Sequence, residues 1–186
     1  MTTSGTVVAV IVIGLLPFYL ITMQFGQATA SSEEEGEEQE ETELRTYTNE
    51  DFKFTINYPL DWEPSEHDLL KYEIARFTPT EGPPPVVMVY IYNVGETNKT
   101  LAEFIDKGVE DSDNRLISKV STTLSGLPAF QLVYYQYDTG TVKSMETTTL
   151  TDSNDLITVH YVTDPGTFDE YLPIVNQMIE SFELLP

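Results

Sequence analysis

The sequence predicts an α+β sandwich built on an antiparallel β-sheet, and three observations lead to this fold class. Several segments alternate apolar and polar residues with a period of two, which is typical of strands. Four of them follow one another between residues 116 and 163, joined by short connections rich in turn-forming residues, and this favours an antiparallel meander. Two other segments have helical periodicity, so we expect helices to pack on the sheet.

The first predicted strand covers residues 52–58. Its large apolar side chains alternate with polar ones and share one face: Phe52, Phe54, Ile56 and Tyr58. Pro59 cannot donate a backbone hydrogen bond and therefore ends the strand. We expect the ring of Trp62, which follows closely, to fold back over the apolar face.

Two strands and a helix are predicted next. Residues 72–78 form a short strand, and residues 86–94 form a strand that is apolar on both faces. Such a strand belongs in the middle of a sheet that is covered on both sides. Thr100 and Glu103 have the spacing of a capping box, and the apolar residues after them predict a helix that ends near Asp111.

The second half of the chain contains four predicted strands and a closing helix. The strands cover residues 116–124, 129–137, 142–151 and 156–163. Apolar residues at helical spacing predict the helix over residues 166–182, where Pro173 is expected to introduce a kink.

The N-terminal segment predicts export or membrane attachment. Residues 6–25 carry no charge, and a helix of that length is about 30 Å long, the hydrocarbon thickness of a bilayer. Ala28-Thr29-Ala30 has the small-x-small form of a signal-peptidase site. Residues 1–30 are therefore predicted to be a signal peptide or an N-terminal membrane anchor, with the domain outside the cytoplasm. Asn98, in the tripeptide Asn98-Lys99-Thr100, is then a candidate for glycosylation.

Residues 31–45 are predicted to be an acidic disordered linker, and residues 46–186 to be one domain. The linker contains a dense run of glutamates, and residues 31–43 contain no apolar side chain. Charge repulsion and the lack of apolar surface to bury both oppose folding of such a segment. It is predicted to act as a spacer between the membrane and the domain.

The composition argues against several classes of function. The formal net charge is −22, with 31 acidic residues against nine Lys and Arg, so nucleic acid is not an expected partner. The absence of cysteine excludes disulfides, thiol catalysis and cysteine-ligated zinc.

Several of these segments together resemble the PsbP-like family over residues 47–185. The matching residues are Tyr47-Thr48-Asn49, the alternating run from Phe52 to Tyr58 with Pro59 and Trp62, Thr100-Leu101 with Phe104, Leu124-x-Gly126-x-Pro128-Ala129, and Ser181-Phe182. Known members include extrinsic subunits of the photosystem II oxygen-evolving complex and exported or membrane-attached prokaryotic proteins. The resemblance implies a non-catalytic accessory domain, an α/β/α sandwich around a central antiparallel sheet of about six strands. Members that help to retain calcium dock through basic surface and N-terminal residues. This chain has only nine Lys and Arg and an acidic leader, so the resemblance assigns no docking residue to it.

Candidate metal ligands follow the first helix. Glu110, Asp111 and Asp113 could supply oxygen ligands to Ca²⁺. The glycine and the distal glutamate of an EF-hand loop are absent at the required offsets, so a solvated helix end is the alternative interpretation.

Candidate partner-binding residues are tyrosines of the predicted strands. Six of them occur there: Tyr90, Tyr92, Tyr134, Tyr135, Tyr137 and Tyr161. Tyrosine suits both sheet packing and recognition, because its ring is apolar and its hydroxyl is polar. Tyr134, Tyr135 and Tyr137 are the candidates for contact with a partner.

The sequence predicts that the protein is not an enzyme. Ser65-Glu66-His67-Asp68 contains the residue types of a hydrolase triad, but neighbours on one loop do not converge in the required line. His160 lies alone in a strand, where a hydrogen-bonded structural role is the simpler interpretation. We therefore expect a membrane-tethered or secreted domain that binds a protein partner or stabilises a membrane assembly. A module for a small ligand or a cation, and a hydrolase with an unrecognised site, are the alternatives.

Overall fold

A computed structural model describes residues 42–66, 72–82, 85–137 and 140–186. Residues Glu40–Pro186 group into one compact unit. The apolar segment 6–25, most of the predicted linker and His67 lie outside the described residues. Among the residues that are described, no helix has the length and apolar character needed to cross a bilayer.

The described residues form ten strands and two helices. In chain order these are β1 (Leu44–Asn49), β2 (Phe54–Pro59), β3 (Trp62–Ser65), β4 (Glu73–Pro79), β5 (Val86–Asn93), α1 (Leu101–Asp111), β6 (Arg115–Leu124), β7 (Leu127–Tyr135), β8 (Lys143–Leu150), β9 (Asp155–Thr163), α2 (Phe168–Glu180) and β10 (Glu183–Leu184). The predicted α+β class is confirmed. β1 begins at Leu44, so the last two residues of the segment predicted to be linker, Leu44 and Arg45, belong to a strand.

The strands form two antiparallel sheets. The central sheet has seven strands in the order β3-β4-β5-β9-β8-β7-β6, and the meander from β6 to β9 is present as predicted. The prediction of about six strands omitted β3, the short strand that contains Trp62. A smaller sheet has the order β1-β2-β10, so β2 pairs with a strand from the C-terminal end of the chain.

The main core lies between α2, the smaller sheet and one face of the central sheet. Phe54 of β2 stacks on Phe182 with 5.3 Å between the ring centroids. Val159 and Tyr161 of β9 point into the same core, and the Tyr161 hydroxyl donates a hydrogen bond to the Phe168 carbonyl oxygen over 3.0 Å. We call this side of the central sheet the α2 face and the opposite side the α1 face.

The start of β2 differs from the prediction. Phe52 was predicted to share the apolar face of Phe54, but it lies in a turn before the strand and is 45% exposed. The Asn49 side-chain oxygen accepts a hydrogen bond from the Phe52 backbone N–H over 2.9 Å, and Lys53 has a φ of 54°. This left-handed residue ends the alternation of faces, so Phe52 points away from the core.

One local prediction is confirmed and another is refined. The capping box at α1 is formed, because Thr100 and Glu103 each accept a hydrogen bond from the backbone N–H of the other. The connection between β6 and β7 is shorter than predicted, since Ser125 and Gly126 alone form the turn, with φ values of 52° and 74°. Two consecutive residues with positive φ are typical of a type I′ hairpin turn, which favours glycine.

The contrast between Phe54 and Phe52 predicts a stability difference. Phe54→Ala should lower the free energy of unfolding by about 3 to 5 kcal/mol, because it leaves a cavity beside Phe182. Phe52→Ala removes the same atoms from an exposed position and should change it by about 0.5 kcal/mol or less. Urea denaturation of both variants measures the difference. Equal losses would contradict the described start of β2.

Candidate functional site

Polar side chains cross the α1 face of the central sheet along the strand register. The residues of one row face each other directly across five strands: Leu132, Glu146, His160, Met88 and Arg76. The adjacent row has a similar mixture: Phe130, Thr148, Thr158, Tyr90 and Glu73. We call these residues the polar rows. They bring together titratable groups that are far apart in the sequence.

A hydrogen-bonded triplet lies near α1. The Tyr134 hydroxyl donates to Glu146 Oε1 over 2.6 Å and lies 3.4 Å from His160 Nε2. His160 Nε2 and Glu146 Oε1 are 3.7 Å apart. The Tyr134 ring is buried against Ile105 of α1, so the helix helps to position its hydroxyl.

A second polar group lies at the other end of the rows. Arg76 donates two hydrogen bonds to the Glu73 carboxylate, over 2.7 and 2.9 Å. The Glu73 side chain is only 1% exposed, so this paired geometry offsets the cost of burying its charge. The Tyr90 hydroxyl lies 3.3 Å from the same carboxylate. Burial raises the pKa of Tyr90 to about 12, and the Glu73 carboxylate adds to this effect.

Burial also determines the charge state of the triplet. Burial lowers the pKa of His160 below its usual value, and this effect exceeds the opposing attraction of Glu146 and Glu73. The imidazole is therefore neutral at pH 7. Burial beside the Glu146 carboxylate raises the pKa of Tyr134, so the phenol keeps its proton and acts as a donor. The Glu146 carboxylate has no cationic partner in the triplet.

The three tyrosines predicted to contact a partner do not form one surface. Tyr134 is buried on the α1 face. Tyr135 points to the α2 face, where the Arg115 guanidinium lies 4.5 Å from its ring centroid. Tyr137 lies in the following turn and is 66% exposed. A strand exposes alternate residues on opposite faces, which separates the first two.

The predicted metal ligands lie at the end of α1. Glu110 and Asp111 both pair with Lys107, and Asp113 follows the helix in an exposed segment. Within the described part of the chain, no group of three or more histidine or acidic side chains could hold a metal ion. Calcium binding stays a prediction. Asn98, the predicted glycosylation residue, is exposed in the segment before α1.

The residues that the sequence analysis rejected as a hydrolase triad lie partly outside the described structure. Glu66 accepts a hydrogen bond from the Tyr47 hydroxyl over 2.8 Å, and the next residue, His67, lies outside the described residues. His160 was interpreted as a hydrogen-bonded strand residue, and its contacts are those of the triplet. Sequence reasoning missed Glu146 and Glu73. The sequence did contain a signal for them: Glu73 in β4 and Glu146 in β8 are each the single acidic residue of a strand with a period of two.

An exposed strand edge was also missed. β6 is the last strand of the central sheet, and among the described residues its backbone is hydrogen-bonded only to β7. It exposes three apolar side chains, Leu116, Ile117 and Val120, of which the last two are 50% and 49% exposed. The register shifts between Leu116 and Ser118, so Ile117 forms a bulge. Only the sheet order identifies this edge.

Comparison with known proteins identifies similar folds. A family model described as PsbP-like protein matches residues 4–184. The solution structure of cyanobacterial PsbP (CyanoP) from Synechocystis sp. PCC 6803 is similar with a TM-score of 0.57 and 15% identity, covering 76% of this chain and 92% of that one. The crystal structure of LpqN, involved in cell envelope biogenesis of Mycobacterium tuberculosis, is similar with a TM-score of 0.55 and 12% identity, covering 78% and 92%. At these identities the structures show a shared fold. No curated protein sequence matches the chain.

The neutral, buried His160 predicts a pH dependence of stability. The folded state holds the proton less tightly than the unfolded state, whose histidine has a pKa of about 6.5. Above about pH 6.5 the low pKa of His160 costs the folded state no stability. As the pH falls below that value, the unfolded state binds the proton first, and the free energy of unfolding decreases. In urea denaturation between pH 8 and pH 5, His160→Gln should therefore lose less stability than the wild type.

His67→Gln is the matched control, because His67 is the other of the two histidines in the sequence. Comparison of the two variants identifies which histidine carries the pH dependence. If His160→Gln and the wild type lose stability in parallel, the assignment to His160 is wrong.

Proposed function

The chain belongs to the PsbP-like protein family, and from this premise we propose that it is a non-catalytic accessory domain. It works outside the cytoplasm, tethered to a membrane or secreted, and acts by binding a protein partner. The observation that carries the proposal is the outer edge of β6, which pairs with no strand of the described residues.

The edge of β6 has the features of a surface for strand addition. An unpaired edge presents rows of backbone donors and acceptors that another extended segment can satisfy. The strand is 10 residues long, which is enough for several such hydrogen bonds. Ile117 and Val120 add exposed apolar area beside them. A partner strand placed there would continue the central sheet.

Two features limit which strands can pair with this edge. The bulge at Ile117 interrupts the regular register, and Lys119 places a charge in the middle of the strand. The bulge and the charge both oppose non-specific pairing of β6 with other strand edges. They favour a partner whose register fits the part of β6 that follows the bulge.

The proposed location is supported by the N-terminal sequence and by one similar protein. Residues 6–25 are uncharged and long enough to span a bilayer as a helix. LpqN, which has a similar fold, is involved in cell envelope biogenesis. An accessory domain beside a membrane assembly is consistent with both observations.

Partner binding at β6 predicts a position-specific cross-link. The full chain, carrying p-benzoylphenylalanine in place of Val120, is expressed in its native cells and irradiated. We expect one adduct of defined mass, because the side chain is exposed next to the unpaired edge. Ile117→Lys in the same chain should weaken the adduct several-fold.

Leu60 is the matched control for this experiment. It is similarly exposed but lies in the turn between β2 and β3, away from β6. The same probe at Leu60 should give no such adduct. Equal adducts at both positions, or none at Val120, would contradict the proposal. A product of twice the chain's mass would show that the partner at β6 is a second copy of this chain and not a different protein.

The proposed location predicts the accessibility of the C-terminus. An epitope tag after Pro186 should be removed when protease is added to intact cells stripped of any outer layer. Deleting residues 6–25 should protect the tag and leave the chain in the soluble fraction, because the export segment is lost. A full chain whose tag resists protease until the cells are lysed would contradict the proposed location.

A further inference from the structure

A groove lies between α1 and the α1 face of the central sheet. Its volume is about 290 Å³, and it is open to solvent on one side. Six apolar side chains line it: Phe104, Ile105, Val109, Leu116, Leu132 and Leu156. Ligand pockets are typically apolar clefts of about 300 Å³ or more with a few polar groups. The groove therefore has the size and lining expected for a small molecule.

The polar wall of the groove carries an uncompensated negative charge. Glu146 and Tyr134 both line the groove. Glu146 Oε1 accepts the hydrogen bond from Tyr134, whereas Oε2 has no hydrogen bond to any residue that the structure describes. The basic group near this carboxylate is His160, 3.7 Å away, which is neutral at pH 7.

The lysines around α1 are held by other groups. Lys119 pairs with Asp106 and lies over the Phe130 ring, with 4.7 Å from Nζ to the centroid. Lys107 pairs with Asp111, and Lys99 lies over the Phe104 ring at 5.7 Å. In the described structure, none of these lysines contacts Glu146. A cation in the groove would supply the missing charge.

Gly108 keeps the groove open. It lies in the middle of α1 and lines the groove, and a Cβ atom added there would meet no atom within 4 Å. Its backbone is helical, so neither packing nor conformation requires glycine at this position. Glycine inside a helix is less favourable than alanine, because it loses more conformational freedom on folding. Glycine at this position leaves space in the groove that a larger side chain would occupy.

We propose that this groove binds a small organic cation, an amine whose apolar body lies between α1 and β7 and whose ammonium group donates to Glu146. The apolar lining of the groove would contact the apolar body of the amine. The Glu146 carboxylate, which has no cationic partner among the described residues, would bind its ammonium group. The Tyr134 hydroxyl holds the carboxylate in place. This site is independent of partner binding at β6, and each can fail without the other.

Three small molecules of similar shape and different charge test whether binding requires a positive group. Binding of 2-phenylethylamine, 2-phenylethanol and phenylacetate to the full chain is measured by calorimetric titration at pH 7. We expect the amine to bind most tightly and phenylacetate least. The three probes share the phenyl ring, but the group placed beside the Glu146 carboxylate is positive in the amine, neutral in the alcohol and negative in phenylacetate. Glu146→Gln should weaken amine binding about tenfold or more and leave the alcohol unchanged.

Substitutions at Gly108 test the position of the apolar body. Gly108→Leu should abolish binding of the amine, because its side chain fills the groove. Gly108→Ala is the matched control and should keep binding while it stabilises α1. Urea denaturation of each variant verifies that the fold is intact, and Glu146→Gln retains an acceptor for Tyr134.

Four outcomes would overturn the inference. Binding of phenylacetate at least as tight as that of the amine would exclude a cation site. Equal affinities of the amine for Glu146→Gln and for the wild type would exclude the proposed contact. Absence of binding by all three probes, or binding that survives Gly108→Leu in a folded variant, would exclude the groove.

Discussion

The structure depends on the requirement that both faces of the central strands be covered. β5 and β9 lie in the middle of the sheet, and each presents apolar residues to the α2 face. On that face, α2 and the smaller sheet complete a core in which polar groups such as the Tyr161 hydroxyl have partners. On the other face, α1 packs mainly on β7. The incomplete cover leaves the groove open to solvent beside a well-packed core.

The polar rows show how one sheet face can hold two carboxylates in different environments. Glu73 is buried with Arg76, so its charge is balanced inside the protein. Glu146 is held by a neutral donor, Tyr134, and faces the groove. The two carboxylates therefore have different roles. One is fixed as part of the fold, and the other is available to a ligand of opposite charge.

Local sequence signals predicted much of the fold. The period of two located the meander, and Thr100 with Glu103 located the start of α1, because both signals arise within a few residues. The family resemblance is confirmed by the match over residues 4–184. Phe52 was misplaced because the left-handed conformation of Lys53, which ends the alternation, leaves no clear mark in the sequence.

The candidate sites were much harder to predict, for a physical reason. The contact between Tyr134, Glu146 and His160 depends on the relative register of β7, β8 and β9, and the edge position of β6 depends on the order of all seven strands. Both are long-range properties of the sheet. The tyrosines chosen from composition were therefore divided between two faces, while Glu146, the acidic residue that lines the groove, was not singled out.

The pairing of β2 with β10 has a consequence for synthesis of the chain. Leu184 lies opposite Phe54, and Phe182 stacks on the same ring, so residues near the two ends of the domain meet. A ribosome releases the C-terminal residues last. During translation Phe54 therefore lacks its stacking partner, and the nascent domain cannot close. Until residues 182–184 have been synthesised, the smaller sheet lacks β10 and the main core lacks the Phe182 ring.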